Sequence, residues 1–291
     1  MRNVNQGDEM KEIQKVNRGV VKIGGAIGND PSKLLEELSA RVKDGEKWIL
    51  VHGASGHMET ICKSCGIEPV YVISPSGYRS RFVGESELVL FEAACSSYSV
   101  ELSWKLGKLG IGSIPIYPKR DVTAIAQRKD SLRSVENGRV RILRGNYSGT
   151  VCGFEPLPVM EAWENGLLPM LPPLASDSHG NSLNVDGDRM AAAAASAVNA
   201  DVLIILSNVP GVLRDIKDPT SRVESGSLSN WGELEKLAEG NMKRKLLAAK
   251  EALEGNVRKA ILADSRIDKP LFNALAGGGT TLCRTSTADE D

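Results

Sequence analysis

Short apolar runs that close on glycine, each followed by a stretch of helical periodicity, set the rhythm of this chain. Val20-Val21-Lys22-Ile23 ends at Gly24-Gly25, and Trp48-Ile49-Leu50-Val51 runs into His52-Gly53-Ala54-Ser55-Gly56. Val70-Tyr71-Val72-Ile73 is a third run, and Val202-Leu203-Ile204-Ile205-Leu206 precedes a Pro210-Gly211 turn. Near-continuous apolar strands are what a parallel sheet buried on both faces requires, so the order strand, turn, helix predicts an α/β fold with helices on both faces of the sheet. Asp30 reads as an N-cap with Pro31 at the first helical position, and Leu34, Leu35, Leu38 and Val42 fall on one face of the helix that follows. Further helices are predicted over 85 to about 106, 190–198, 231–239 and 242–254, with a last strand over 257–262. The alanine run 191–195 is good helix material.

From 118 to about 150 the pattern changes to strands or hairpins. Arg139-Val140-Arg141-Ile142-Leu143 alternates, and Asn137-Gly138 is a strong two-residue turn signal. The length of 291 residues allows one large two-lobed α/β domain or two ordinary ones. Aromatic residues at 4% argue against base-stacking platforms, and a net charge of −1 excludes a globally basic nucleic-acid binder. No apolar run approaches the roughly 20 residues that span a bilayer, and residues 1–18 are too polar for a signal peptide, so a cytoplasmic protein is expected. Residues 1–18 and 285–291 read as flexible ends. The 5 cysteines fit a reducing compartment; Cys62-x-x-Cys65 lacks a second ligand pair for zinc and lies where a helix is predicted.

The candidate chemistry sits at the ends of these elements. Three glycine turns follow strands, at Gly24-Gly25, at Gly53 with Gly56, and at Gly211. Such turns let backbone N–H groups approach phosphate oxygens, although glycine is also the default residue of any tight turn. No G-x-x-x-x-G-K-[ST], strand-linked G-x-G-x-x-G, H-R-D or D-F-G occurs. Lys22 ends a buried strand, so its charge either meets an anion or snorkels to the rim of the sheet. Leu183-Asn184-Val185-Asp186-Gly187-Asp188 opens the alanine-rich helix, where acids cap the helix or orient ammonium groups. Gly240-Asn241-Met242-Lys243-Arg244-Lys245 opens another helix, as a surface charge run or as part of a site.

Taken in order, Val21 through Gly25, His52-Gly53, Gly77 through Arg81, Asn184 through Asp188, Leu206 through Val212 and Met242-x-x-Lys245 resemble the acetylglutamate kinases and their relatives in the amino acid kinase family. Ile67-Glu68-Pro69 through Phe82, and Arg244-Lys245-Leu246-Leu247 through Ala263, look closest to the archaeal-type kinases that act on α-aminoadipate or glutamate attached to an amino-group carrier protein. The resemblance covers roughly residues 19–284 and implies a three-layer α/β/α sandwich with a central, mostly parallel sheet. It further implies an acceptor-binding lobe over about 19–178, a nucleotide-binding lobe over about 179–284, and a homodimer.

It also implies roles. Lys22 and Lys245 would stabilise the migrating phosphoryl group, Asp188 would orient them, and Gly24 and Gly25 would donate backbone N–H groups. ATP and Mg2+ are the expected cofactors, with no metal ligand from protein side chains. Arg81 and Asn184, with Gly53, Ala54 and Ser55, would hold the acceptor; Ser207, Asn208, Gly211 and Met242 would line the nucleotide pocket. A carboxylate is already ionised at pH 7, so the acceptor needs no general base, and catalysis rests on positioning and charge neutralisation. The chain departs from the family in having Gly53-Ala54-Ser55 where three glycines are usual, Tyr117 through Asp121 for a Gly-x-Asp-Gly stretch, Val83 for a threonine, and Asn208 for an aspartate. Between Lys119 and Arg144, eight basic residues (among them Lys119, Arg120, Arg128, Lys129, Arg139 and Arg141) face three acids. Such a surface suits an acidic carrier protein that presents the substrate, or is a solvated hairpin with no partner. Two other readings stay open: a kinase of free N-acetylglutamate, and a regulatory nucleotide-binding paralogue.

Overall fold

The computed structural model describes residues 15–75, 79–118, 123–136 and 139–285. The first half runs β1 (Arg18–Ile23), α1 (Ser32–Lys43), β2 (Lys47–His52), α2 (Ser55–Ser64), β3 (Tyr71–Ile73), β4 (Arg79–Arg81) and the long α3 (Glu85–Lys108). Strands β5 (Ser113–Pro115), β6 (Ala124–Arg128), β7 (Ser131–Glu136), β8 (Arg139–Arg144) and β9 (Gly149–Phe154) follow, then α4 (Leu157–Glu164). Next come β10 (Leu168–Leu171), β11 (Leu174–Ser176), β12 (Ser182–Asn184), α5 (Gly187–Ala197) and β13 (Val202–Ser207). The chain continues through β14 (Ser225–Ser227), α6 (Trp231–Leu237), α7 (Asn241–Glu254), β15 (Lys259–Asp264), α8 (Pro270–Leu275) and β16 (Thr280–Cys283).

An eight-stranded sheet in the order β14-β16-β15-β13-β1-β2-β10-β5 runs through the molecule. Every neighbouring pair in it is parallel except β15 with β16. Strand parity sends Val20, Ile49, Val51, Leu203 and Ile205 to one face, against Met190 and Ala191 of α5 and Ala248, Ala249 and Ala252 of α7. Val21, Ile23, Trp48, Leu50, Ile204 and Leu206 face the other way, against Leu34, Leu35 and Leu38 of α1 and Leu102 and Leu106 of α3. The result is the expected three-layer sandwich.

Several local expectations differ from the structure. Tyr71–Ile73 does not join the parallel sheet; it pairs antiparallel with β4 in a separate two-stranded ribbon. With Val72 buried and Tyr71 and Ile73 exposed, this strand has one covered face only, which its unbroken apolar run does not reveal. Strands β7 and β8 form a second ribbon, while β12-β11-β6-β9 make a small sheet of four. Pro31 occupies the capping position of α1 rather than its first turn, and the Asp30 carboxylate accepts from the Ser32 N–H and hydroxyl at 3.0 and 2.7 Å. Cys62 is buried within α2, whereas Cys65 ends it. Order also begins before residue 19. Val16 is buried with its N–H on Glu46, and Asn17 and Arg18 donate to the Asp201 carboxylate, so the flexible end expected over 1–18 does not extend over 16–18; residues 1–14 of it, and 286–291 of the expected tail, lie outside the described residues.

The antiparallel edge is stitched to the turn after β13. Gly211 has φ +148, and a Cβ there would press on Thr280. Thr280 is fully buried; its Oγ1 accepts from the Val212 N–H at 2.9 Å and donates to the Val223 carbonyl at 2.6 Å. Thr280→Val keeps the shape but strands both backbone groups, and should lower unfolding stability by about 1–3 kcal/mol in a denaturant titration.

Candidate active site

Parity on β1 puts Lys22 on the same face as Val20, toward the helices that begin with Gly187 and Asn241. There its Nζ lies 2.6 Å from Asp188 Oδ1, and Lys245 Nζ lies 2.9 Å from Asp188 Oδ2. All three side chains are about nine-tenths buried, with relative exposures of 10% for Lys22, 8% for Asp188 and 12% for Lys245. Two lysines 223 residues apart in sequence (245 − 22) thus share one carboxylate at the carboxyl end of the parallel sheet.

The local sequence explains how Asp188 is available for this. Asp186 caps α5, its Oδ1 accepting from the N–H groups of Asp188 and Arg189 at 2.9 and 3.1 Å. The helix start is thereby satisfied by the first acid, which leaves the second for the lysines. Arg189 turns away and makes a two-pronged pair with Glu251 of α7, fixing the two helices against each other. Burial opposes charge on Asp188, but the adjacent Lys22 and Lys245 ammonium groups overcome it and hold the carboxyl below the ordinary range. Burial and the Lys22 charge push Lys245 down from its usual value, with Asp188 opposing.

The glycine turns beside these lysines meet backbone on backbone. A Cβ at Gly25 would collide with the Gly53 carbonyl and the Ala54 nitrogen, and one at Gly53 would sit 2.6 Å from the Gly25 nitrogen. Gly56 N–H donates to the Gly25 carbonyl at 2.5 Å. The amides of Gly24, Gly25 and Ala54 find no backbone acceptor among the described residues. Ala54 has φ −137 and is 2% exposed, with its side chain packed against Met58 and Phe91. Replacing glycine there therefore adds a methyl to the core under α2, and no positive φ is needed at 53–56. Ser55 begins α2 and is exposed. His52 is fully buried, and burial holds its imidazole at about 4; its Nδ1 lies 3.0 Å from the Gly53 carbonyl and its Nε2 2.8 Å from Ser99 Oγ.

At the end of β13, the Ser207 hydroxyl is buried without a hydrogen-bond partner, Asn208 is exposed and Gly211 is buried against Thr280. Met242, the second residue of α7, is half-buried and packs against the core. Arg81 on β4 has a buried Nη2 without a hydrogen-bond partner, and its guanidinium carbon lies 5.5 Å from the centre of the Tyr71 ring. Arg244, next to Lys245, donates to Ser80 Oγ at 3.2 Å, which brings the start of α7 against the strand that carries Arg81. Asn184 ends β12, its N–H on the Tyr147 carbonyl.

The basic segment divides. Lys119 and Arg120 lie outside the described residues. Arg128 is engaged internally: its Nε donates to the Asn146 carbonyl, Nη2 pairs with Asp130, and the guanidinium lies 3.8 Å over the Tyr147 ring. Lys129 is exposed, as are Arg139 and Arg141 with Val140 and Ile142 between and beside them. Sequence reasoning missed Asn29, which donates to the Gly24 carbonyl at 2.7 Å and accepts from Ser265 Oγ at 3.2 Å, tying the first glycine turn to the end of β15. In the sequence Asn29 reads only as turn material before Asp30, and Ser265 carries no signal. Among the described residues no helix is long and apolar enough to cross a membrane.

Residues 17–264 match the model described as "Amino acid kinase family". The chain belongs to that family. A LysW-aminoadipate kinase of Deinococcus radiodurans is 40% identical over 93% of this chain and 93% of its own length. A LysW-aminoadipate/LysW-glutamate kinase of Sulfurisphaera tokodaii is 37% identical over 90% of this chain and 99% of its own. N-acetylglutamate synthase from Neisseria gonorrhoeae, complexed with coenzyme A and N-acetyl-glutamate, superposes with a TM-score of 0.75 at 20% identity, covering 93% of this chain. The chain spans 60% of the length of that synthase, so this last likeness speaks to the fold.

Replacing the shared carboxylate isolates its role. Asp188→Asn leaves two buried ammonium groups facing each other without a counter-charge, a loss of about 3–5 kcal/mol. Because Asp188 is what holds the Lys245 proton against burial, the same change lowers the Lys245 pKa further. The alkaline limb of the pH–rate profile should move to lower pH, and thermal unfolding should begin at lower temperature than in the parent.

Proposed function

We propose that this chain transfers the γ-phosphoryl group of ATP to the side-chain carboxylate of α-aminoadipate, glutamate or both while that substrate is attached to a small acidic carrier protein. The step serves lysine biosynthesis, arginine biosynthesis or both, in the cytoplasm. One observation carries the proposal: Lys22 and Lys245 converge on Asp188 at the rim where the Gly24-Gly25 and Gly53 turns meet. The names of the relatives at 37–40% identity support the carrier-linked acceptor.

The chemistry follows from the charges. The acceptor carboxylate attacks the γ-phosphorus as its bond to the β,γ-bridging oxygen breaks, giving an acyl phosphate and ADP. Both partners are anionic, so the barrier is largely electrostatic, and Lys22 and Lys245 supply the neutralising charge with Asp188 fixing their positions. The unengaged amides of Gly24 and Gly25 and the unpartnered Ser207 hydroxyl suit a polyanionic nucleotide tail, with Asn208, Gly211 and Met242 around it. Asp188 is already shared by two lysines, and no group of three or more His, Cys, Asp or Glu gathers among the described residues. Mg2+ would therefore be carried by the nucleotide phosphates, where it adds to charge neutralisation. On the acceptor side, Arg81 with its unpartnered Nη2 would take a substrate carboxylate, and Asn184, Gly53, Ala54 and Ser55 would complete that half of the cleft.

The carrier would dock on the β7–β8 ribbon, where exposed Arg139 and Arg141 accompany exposed Val140 and Ile142, with Lys129 just before its root. A homodimer would use α3, on which Val89, Val100 and Trp104 are about 60% exposed. Residues eleven and four apart share one helix face, and an apolar stripe of that kind in water calls for a second copy.

Phosphorylation assays with carrier-linked aminoadipate, carrier-linked glutamate and free N-acetylglutamate side by side test the activity. Turnover of the carrier-linked acids is expected, and Lys22→Ala or Lys245→Ala should each reduce it by about 10²-fold or more. Turnover of free N-acetylglutamate alone would overturn the carrier-linked reading. Docking is tested separately: Arg139→Glu with Arg141→Glu should raise the KM for the carrier-linked acid by about 10-fold and flatten its salt dependence. An unchanged KM and salt response would remove the ribbon as the docking surface.

A further inference from the structure

Asn146 lies between β8 and β9, follows Gly145 (φ +77), and is fully buried. Its amide is engaged at both ends: Oδ1 accepts from the Val83 N–H at 3.2 Å, and Nδ2 uses both donors, on the Lys129 carbonyl at 2.7 Å and on Ser148 Oγ at 2.5 Å. Its own backbone is engaged as well, the N–H on the Asp130 carbonyl at 3.1 Å and the carbonyl under Arg128 Nε at 2.9 Å. A buried amide engaged through its oxygen and both its N–H groups fixes the segments it touches, because moving any one of them leaves a polar group unpaired in a low-dielectric interior.

The segments so fixed are the acceptor half of the cleft. Val83 is two residues after Arg81, and its carbonyl takes the Tyr147 N–H at 2.7 Å. The Tyr147 carbonyl in turn takes the Asn184 N–H at 2.9 Å. Arg81 and Asn184, which belong to different sheets, are therefore spaced by one chain of backbone hydrogen bonds that Asn146 anchors. The same residue clamps the roots of the β7–β8 ribbon, since Asp130 precedes Ser131 and Gly145 follows Arg144.

We propose that Asn146 is a positioning residue for the acceptor. It sets the separation between Arg81 and Asn184, and it registers the carrier-docking ribbon to that pair so that a docked carrier delivers its substrate to the right place. The inference rests on the acceptor-side assignment of Arg81 and Asn184 given above. No bond made by Asn146 reaches Lys22, Asp188 or Lys245, so its effect belongs to acceptor binding and not to the nucleotide side.

Asn146→Asp keeps the size and the acceptor for Val83 but sets a carboxylate oxygen against the Lys129 carbonyl; Asn146→Ser removes the reach altogether; Ser148→Ala deletes only one of the three side-chain links. Kinetics with a carrier-linked acid and ATP should show acceptor KM raised about 10- to 100-fold in Asn146→Asp, ATP KM within about twofold of the parent, and Ser148→Ala close to the parent. If Asn146→Asp does not fold, Asn146→Ser is scored by the same two constants. Equal rises in both KM values, or neither changing in a folded variant, would overturn the proposal, because a purely structural role does not separate the two substrates. A parent enzyme inactive on every acceptor would defeat the proposed function instead. Amide exchange at Val83, Tyr147 and Asn184 then decides about Asn146: about 10-fold faster exchange in Asn146→Ser upholds the junction, and unchanged exchange ends it.

Discussion

One buried carboxylate holding two ammonium groups governs the organisation of this molecule. Asp188 neutralises only one of the two charges it touches, so Lys22, Asp188 and Lys245 leave a net positive charge in a site that is almost closed to solvent. The two ammonium groups, held on the two oxygens of one carboxylate, repel each other. That arrangement is stable only while Asp188 stays in place, and it becomes favourable when a polyanion arrives. The fold supplies the placement at every level. Parity on β1 aims Lys22, the Asp186 cap releases Asp188, and the Arg189–Glu251 pair holds the start of α5 against α7, which carries Lys245.

The glycine turns answer the same demand. For backbone amides to serve as fixed donors beside the lysines, the turns after β1 and β2 must meet without side chains between them, and Gly25 against Gly53 is where they do. The alanine and serine that follow are compatible with this because the chain enters α2 at once. The Ala54 methyl is absorbed by the core beneath that helix, and Ser55 faces solvent. A sequence pattern that looks damaged at the level of a motif is intact at the level of the backbone.

What could be read in advance follows from what periodicity measures. Alternation and apolar runs report burial, so the four inner strands β15, β13, β1 and β2 were legible with the helices α1, α3, α5 and α7 packed on them, and so were the helix starts that carry Asp188 and Lys245, whereas the outer strands β5, β10, β14 and β16 were not. Pairing partners leave no such trace. Tyr71–Ile73 has the composition of a core strand yet lies in an outer ribbon, and nothing in Thr280 announces that it closes the turn at Gly211. The same limit hid Asn29, Ser265 and Asn146. Each is a small polar residue in a connection, indistinguishable in sequence from ordinary turn material, and its importance lies in partners up to 236 residues away. Local chemistry was legible, whereas long-range hydrogen bonding was not.

The two halves of the cleft are built from materials of different stiffness. Lys22, Asp188 and Lys245 stand on an interior strand of the eight-stranded sheet and on the first turns of two helices buried against it. Arg81 and the ribbon proposed to receive the carrier are built differently: β3 with β4 and β7 with β8 are two-stranded, their strands run from three to six residues, β3 keeps one face in solvent and β8 is exposed along nearly its whole length. Isolated ribbons of this kind are marginal by themselves and depend on what they are tied to. A substrate carried on a protein resolves that weakness, since the carrier's own contacts would add order to the ribbon that receives it. On the assignment proposed above, the chemistry common to the family would reside in the rigid half, and the choice of acceptor in the half that a partner would complete. A free amino acid would have to supply all of that ordering from a handful of contacts, each worth little more than the entropy of fixing the loop that makes it.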